Sequence, residues 1–258
     1  MTTCLQGHWE NSGLEEGDTV LIHSSMRRTF RKILEMGGVP SSEIVIDSLL
    51  DLLGPQGTLI FPTFNFDFPE SRFFSMLNTR SQMGKVTEDA RVLYPGVRTG
   101  HPIYSFKVIG HKEKEFEGIN NESGYGPDSP FARLVELDGK IAVVDLDDQN
   151  SMTFYHHVEE MLEVPYRFHK KFSGEYINSE GAKSYETYSI FVRNLERGVK
   201  TDVNGMGEIL WGDGIYIGSR PGVGNGLRVA RAREIFQSTK REIEEGRALG
   251  RLYSVGQA

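Results

Sequence analysis

The stretch Gly17-Asp18-Thr19-Val20-Leu21-Ile22-His23-Ser24-Ser25 decides how the rest of the chain is read. Thr19 to His23 is a short run of β-prone residues that stops in a polar turn, which marks a buried strand. Beyond it, Ser41-Ser42-Glu43-Ile44-Val45-Ile46-Asp47-Ser48-Leu49-Leu50-Asp51-Leu52-Leu53-Gly54 begins on serine, repeats its apolar residues at helical spacing and stops at glycine followed by Pro55. A second β-rich run, Thr58-Leu59-Ile60-Phe61, follows directly. Strand, helix and strand in that order imply a parallel pair, and with it an α/β fold. Lys140-Ile141-Ala142-Val143-Val144-Asp145 and Gly214-Ile215-Tyr216-Ile217-Gly218 predict further buried strands. The chain is expected to close on a helix over about residues 228–249, whose alternating Arg and Glu read as a solvated face.

A length of 258 residues suffices for one layered unit with a large core, and residues 1–258 are read as a single domain. An apolar share of 38% beside 25% charged residues excludes disorder, collagen and coiled coil. The longest nearly apolar run, Thr58-Leu59-Ile60-Phe61-Pro62-Thr63-Phe64, is far below the ~20 residues of a bilayer-spanning helix. Met1-Thr2-Thr3-Cys4-Leu5-Gln6 lacks a basic-then-apolar leader pattern, so a cytoplasmic protein with no membrane partner is expected. Cys4 is the single cysteine, which excludes an internal disulfide, and the clustered ligands of a structural zinc site are missing. With 29 basic against 36 acidic residues the net charge is −7, which repels a nucleic-acid backbone; no nucleic-acid partner is expected.

Two segments could bind anions. The glycine-rich Arg220-Pro221-Gly222-Val223-Gly224-Asn225-Gly226 lacks the Gly-Lys-Ser/Thr ending of a phosphate loop and reads as an ordinary turn. Arg27-Arg28-Thr29-Phe30-Arg31-Lys32 follows Ser24 and Ser25 at the C-terminal end of the first strand, where open α/β sheets place ligands; a solvated loop is the alternative.

The densest set of reactive side chains is Ser151-Met152-Thr153-Phe154-Tyr155-His156-His157-Val158-Glu159-Glu160. On a helix, residues three apart drift by only about 60°, so Thr153, His156 and Glu159 share one face. Glu160, four residues from His156, could reach it as well, and spacing alone does not choose between the two glutamates. Such a trio suits acyl transfer from a thioester to an amine: the attacking nitrogen must shed a proton and imidazole has the intrinsic pKa to receive it. A carboxylate one turn away would fix the ring tautomer and stabilise the imidazolium. A hydroxyl such as Thr153, with N–H groups at the helix start, could donate to the oxyanion. A surface hydrogen bond is the bland alternative for a His and Glu at this spacing. The di-iron pattern Glu-x-x-His and the zinc pattern His-Glu-x-x-His are both absent, so no metal is expected.

At this helix the sequence resembles the aminoglycoside 3-N-acetyltransferase family, whose signature Thr-x-x-His-x-x-Glu stands here as Thr153-Phe154-Tyr155-His156-His157-Val158-Glu159. The likeness continues in the same order through the Gly17–Ser25 stretch, Gly37-Gly38, Gly57-Thr58-Leu59-Ile60-Phe61-Pro62-Thr63, Val97-Arg98-Thr99-Gly100-His101-Pro102-Ile103-Tyr104-Ser105-Phe106, Tyr125-Gly126-Pro127-Asp128-Ser129-Pro130-Phe131 and Glu163-Val164-Pro165-Tyr166-Arg167. The resemblance implies a three-layer α/β/α fold with a central mixed, largely parallel sheet, and direct transfer of an acyl group from a coenzyme A thioester to a sugar amine. It implies His156 as general base with Glu159, rather than Glu160, as its orienter. It also implies a coenzyme phosphate and pantetheine site at Ser24-Ser25-Met26, with Thr63, Ser105 and Thr153 at the thioester end. Arg27, Arg28, Arg31 or Lys32 would neutralise the phosphates by charge-assisted contacts. Arg98 and His101, in a block where Thr99 replaces the usual serine, are expected to be buried structural residues. Met152 stands where asparagine is common, and Tyr155 and His157 are bulkier than usual, which puts the acceptor in question. A homodimer is the family-level expectation.

Arg167, His169, Lys170 and Lys171 after the motif are more basic than a polycation site would want. The acceptor is therefore read as a nucleotide-linked amino sugar for surface polysaccharide synthesis, with an aminoglycoside as the alternative. The acyl group is acetyl or a short hydroxyacyl. Rival readings are a metal-dependent hydrolase using His156, Glu159 and a distant His101 or His23, and a catalytically silent sugar-nucleotide binding module.

Overall fold

The computed structural model describes residues 2–9 and 12–256. Met1 and the side chain of Cys4, on which the leader and disulfide expectations bear, lie outside the described residues. The helices in chain order are α1 (Thr2–Trp9), α2 (Arg27–Glu35), α3 (Ser42–Leu53), α4 (Phe68–Ser71), α5 (Lys85–Leu93), α6 (Pro130–Glu136), α7 (Phe154–Met161), α8 (Asn204–Gly212) and α9 (Ala232–Glu244). The first six strands are β1 (Thr19–Ser24), β2 (Thr58–Pro62), β3 (Phe73–Ser75), β4 (Val97–Arg98), β5 (Phe106–Gly110) and β6 (Lys140–Val144). The others are β7 (Arg167–Ile177), β8 (Lys183–Arg193), β9 (Val199–Thr201), β10 (Ile217–Gly218), β11 (Leu227–Arg231) and β12 (Tyr253–Val255). Among the described residues no helix is long and apolar enough to cross a membrane.

The main sheet has seven strands in the order β10-β11-β6-β1-β2-β5-β4. The strand–helix–strand unit is realised as β1-α3-β2, with β1 parallel to both β2 and β6. Ser41 caps α3 by accepting from the Ile44 N–H at 3.2 Å, and Gly54 takes φ 64° where the helix stops. Strands β11 and β5 run against the parallel centre, and β10 and β4 run against them in turn, so the sheet is mixed with five of its seven strands pointing one way.

Alternation along the central strands shows why helices must cover both faces. Val20, Ile22, Leu59, Phe61, Ala142 and Val144 pack into one core with α1, α3 and α5. Leu21, Ile60, Ile141 and Val143 enter the other with α6, α7 and α9. A strand apolar on both faces survives only when sandwiched, which gives three layers. A three-stranded sheet, β3-β7-β8, built on the long β7–β8 hairpin, joins the second core.

Two sequence expectations need correction. The strand expected at residues 214–218 shrinks to the two exposed residues of β10, because it lies at the sheet edge and only Tyr216 beside it is buried. The last helix starts at Ala232, since Leu227–Arg231 pairs with β6 as strand β11. The residues there are not all solvated: Arg228 is 1% exposed and Glu242 2% exposed. Arg228 Nη2 lies 2.8 Å from Asp148 Oδ1, while Tyr155 and Tyr216 donate to Asp148 Oδ2 at 2.5 and 2.7 Å. This buried cluster ties the last sheet strand to the segment that leads into α7.

Removing one member of a buried ion pair strands the other charge, which costs about 3–5 kcal/mol. Arg228→Ala is accordingly expected to lower unfolding free energy by about that much in urea denaturation, whereas Lys85→Ala, which breaks the exposed Lys85–Asp89 pair, costs under about 1 kcal/mol. A loss below about 1 kcal/mol at Arg228 would contradict this account of the cluster.

Candidate active site

The parallel strands β1, β2 and β6 end side by side at Ser24, Pro62 and Val144. The chain leaving β6 makes a sharp bend at Asp145, whose φ of 50° is left-handed, and reaches α7 through the buried Asp148. Gly226 permits that bend, because a Cβ there would overlap the Asp145 carboxylate. Thr153 then sits at the N-terminus of α7, its carbonyl accepting from the His156 N–H at 3.0 Å.

On α7 the two glutamates face different surroundings. Glu159 is fully buried and its Oε2 lies 2.7 Å from His156 Nδ1 and 2.8 Å from Arg167 Nε. Glu160 turns away and accepts from the Ser123 hydroxyl at 2.8 Å. Burial by itself would raise the Glu159 carboxyl, but the Arg167 charge, followed by the bond and charge of His156, outweighs it and holds the group below its ordinary value. Burial raises Glu160 instead. Burial and then Arg167 lower the basicity of His156, against the pull of Glu159. An ionised Glu159 accepts from Nδ1–H, so the neutral imidazole keeps its Nε2 lone pair free.

His156 is the point where two clefts meet. One, of about 640 Å³, runs over the β7–β8 hairpin and is lined by Tyr104, Tyr125, Arg167, Phe168, Lys170 and Arg193 among others. The second, of about 270 Å³, is lined by Phe64, Phe66, Met83, Asp148, Met152 and Thr153. Tyr104, His156 and Thr201 border both. A base open to two clefts can accept a proton from a group in one as that group attacks a carbon entering from the other.

The residues expected at a coenzyme site fall in three places. Thr153 lines the smaller cleft. Thr63 and Ser105 are fully buried, their hydroxyls 2.9 Å apart, with Arg98 Nε and Nη2 donating to Ser105 Oγ at 3.3 and 3.2 Å. They form a polar joint between the ends of β2 and β5, and neither borders either cleft. Ser25 extends the β1–β6 pairing by donating its N–H to Val144 O at 2.8 Å, which leaves that N–H unavailable to a ligand. Ser24 ends β1, and Met26, which is buried, begins α2 without a side-chain cap.

The basic cluster is helical rather than a solvated loop. Arg28, Arg31 and Lys32 line a cleft of about 260 Å³ with His8, Gly224 and Asn225, so the glycine-rich turn forms one of its walls. Arg28 bonds Asp145 Oδ1 at 2.6 Å, and Arg27 and Arg31 are exposed without an ion pair among the described residues. His101 accepts at Nδ1 from the Ile103 and Tyr104 N–H groups and donates Nε2–H to Ser189 O, which commits both ring nitrogens and leaves none for a metal. Arg98 is likewise committed, donating to Met76 O and Thr79 O at 2.8 Å. His157 donates Nδ1–H to Tyr125 O at 2.7 Å and stacks on Phe131, which places it in the core.

Tyr104, Tyr125 and Thr201 carry no role in the sequence reading, although the first two lie in its quoted blocks. The Tyr125 ring centroid is 4.7 Å from that of Tyr104 and 5.3 Å from that of His156. Arg167, read from sequence as a cation for an anionic acceptor, is instead engaged with Glu159.

Comparison with known proteins fits this arrangement into a family. The profile described as aminoglycoside 3-N-acetyltransferase matches residues 21–243. Aminoglycoside N(3)-acetyltransferase VII of Streptomyces paromomycinus is 28% identical over 173 residues, 59% of this chain and 58% of its own length. The alignment thus spans less than two thirds of that relative. Among solved structures, AAC-IIIb in a binary complex with CoASH has a TM-score of 0.77 at 20% identity, covering 95% of this chain and 96% of its own. AAC-VIa bound to sisomicin has a TM-score of 0.76 at 19% identity, covering 96% of this chain and 98% of its own. These two show a shared α/β fold. Since the profile extends over most of the sequence and includes the helix bearing His156 and Glu159, the chain belongs to the aminoglycoside 3-N-acetyltransferase family.

Proposed function

We propose that this protein is a coenzyme A-dependent N-acyltransferase that moves an acetyl group onto an amine of an amino sugar, with His156 as general base. The observation that carries the reading is the position of His156 at the junction of two clefts, its Nδ1 held by Glu159 and its Nε2 free.

The smaller cleft suits a pantetheine arm through Phe64, Phe66, Met83 and Met152, and the basic cleft at Arg28, Arg31 and Lys32 suits phosphates. Arg27 is the first residue of the helix that lines this cleft, and Ser24 ends the strand before it. The larger cleft receives the acceptor. As the acceptor nitrogen forms its bond to the thioester carbon, His156 Nε2 takes the nitrogen's proton; when the C–S bond breaks, the imidazolium returns that proton to the departing sulfur. Glu159 stabilises the imidazolium through Nδ1, and the Thr153 hydroxyl donates to the oxygen that gains charge.

The relative's name and the sisomicin complex support an aminoglycoside as acceptor. A nucleotide-linked amino sugar is the second reading, favoured by the larger cleft: Lys170 and Arg193 face a single acidic lining residue, Glu196, once Arg167 is balanced by Glu159. Neither acceptor requires a metal at His156.

Removing the base leaves both clefts in place, whereas removing its orienter also strands Arg167 in the wall of the larger cleft and leaves the smaller one in place. His156→Ala and Glu159→Ala are expected to lower kcat by orders of magnitude in a thiol-release assay while leaving KM for acetyl-CoA nearly unchanged; a near-normal rate for His156→Ala would overturn the base assignment. In the same assay kanamycin or gentamicin should give a higher kcat/KM than a dTDP- or UDP-linked amino sugar. The reverse order would favour the second reading.

A further inference from the structure

Arg167 occupies an unusual place for a cation. It is the first residue of β7, 8% exposed, and it borders the larger cleft while facing the same carboxylate oxygen that holds the base. Its Nε lies 2.8 Å from Glu159 Oε2, and its other nitrogens donate to Phe191 O on β8 at 3.2 Å and to Thr201 Oγ1 on β9 at 3.4 Å. The guanidinium is therefore fixed by the hairpin and brought to the carboxylate side of the His156–Glu159 pair.

From this geometry we infer that Arg167 is a positioning residue that keeps His156 unprotonated at neutral pH by supplying the positive charge that Glu159 would otherwise draw onto the imidazole. The inference rests on the general-base reading of His156 and concerns what sets its resting state.

The argument is one of charge balance in a buried space. An ionised Glu159 with 0% exposure needs a positive partner, because an isolated buried charge is costly. With Arg167 present the site is neutral while His156 is the free base. Without Arg167 it would regain neutrality by binding one proton, and the imidazole, whose ordinary pKa is the higher of the two, takes it as a His156 imidazolium beside the carboxylate. That form spoils the base, because Nε2 is already protonated. The lowered basicity of His156 and the lowered Glu159 pKa agree in direction.

The other groups around the ring do not supply the missing charge. Tyr104 and Tyr125 have raised pKa values and remain neutral, as does Tyr166 beside Glu159. Arg193 on β8 adds a smaller repulsion to His156. Asp148, which borders the smaller cleft, is paired with Arg228.

The sign of the pH effect follows. Because burial and then Arg167 hold the His156 pKa below its ordinary value, the free base is present above that lowered value and is lost as pH falls through it. Arg167→Met should raise the value, so that activity lost at neutral pH returns at higher pH. The test is a ring-NMR titration of His156 in the native protein, Arg167→Met, Arg167→Lys and the double variant Arg167→Met/Glu159→Gln, alongside the acid limb of kcat/KM.

The expected result is an upward shift of about one pH unit or more in Arg167→Met, near-native behaviour in Arg167→Lys, and loss of the upward shift in the double variant. An unchanged or lowered His156 pKa in Arg167→Met would overturn the inference, as would an upward shift that persists without the Glu159 carboxylate. Should Arg167→Met fail to fold, Arg167→Lys against Glu159→Gln decides: the inference requires a native titration in the first and a further lowered pKa in the second. The NMR readout needs no acceptor, so a protein with no acyl-transfer activity would refute the proposed function while leaving this inference standing or falling on its own titration.

Discussion

A single carboxylate oxygen, Glu159 Oε2, is shared between the ring nitrogen of His156 and the guanidinium of Arg167, and the site is organised around satisfying it. Burying a carboxylate completely is tolerable only with a counter-charge and hydrogen bonds. Here the hydrogen bond comes from the same helix, α7, while the counter-charge comes from Arg167, where the hairpin that follows the helix begins. The requirement therefore joins the helix to the hairpin that walls the larger cleft. Chemistry and architecture depend on the same contact: it fixes the imidazole tautomer and also sets where the acceptor wall stands relative to it.

A second buried charge orients α7 from the other end. Asp148 accepts from Tyr155, which is on α7, from Tyr216 near the sheet edge, and from Arg228 in β11. The left-handed turn at Asp145 and the close approach of Gly226 direct the chain off β6 toward this cluster. The helix start is thus anchored to the sheet while its far end is anchored to the hairpin, so His156 and Thr153 have little freedom to move against either cleft. Rigid support of this kind is what a proton transfer between two separately bound groups requires.

The layered fold was readable because β1, α3 and β2 announce themselves through strong local signals: continuous β-prone runs, a serine cap and a glycine stop. Pairing of Thr153, His156 and Glu159 was readable from helical spacing, whereas the choice between Glu159 and Glu160 was not, because it depends on whether Arg167 or Ser123 stands opposite. The β7–β8 hairpin escaped since its first strand is exposed over Phe168-His169-Lys170-Lys171, which looks like a polar connector, although Tyr188-Ser189-Ile190-Phe191, buried throughout, carries a β signal. Thr63 and Ser105 illustrate a different limit. Family likeness gave them a place near the thioester, but whether a hydroxyl at a strand end faces a cleft or a neighbouring strand is decided by packing. Arg228 was misread for a related reason: its alternation with Leu227 and Val229 is a strand pattern, masked by the helical run that follows.

The account stands on His156 Nε2 lying between two separately occupied clefts. A crystal structure of the protein with both coenzyme A and an amino-sugar acceptor tests this most directly. The expected result has the coenzyme sulfur entering beside Thr153 and the acceptor nitrogen within hydrogen-bond distance of His156 Nε2 from the side of Tyr125 and Phe168. Both ligands in one cleft, or an acceptor nitrogen out of reach of Nε2, would contradict it.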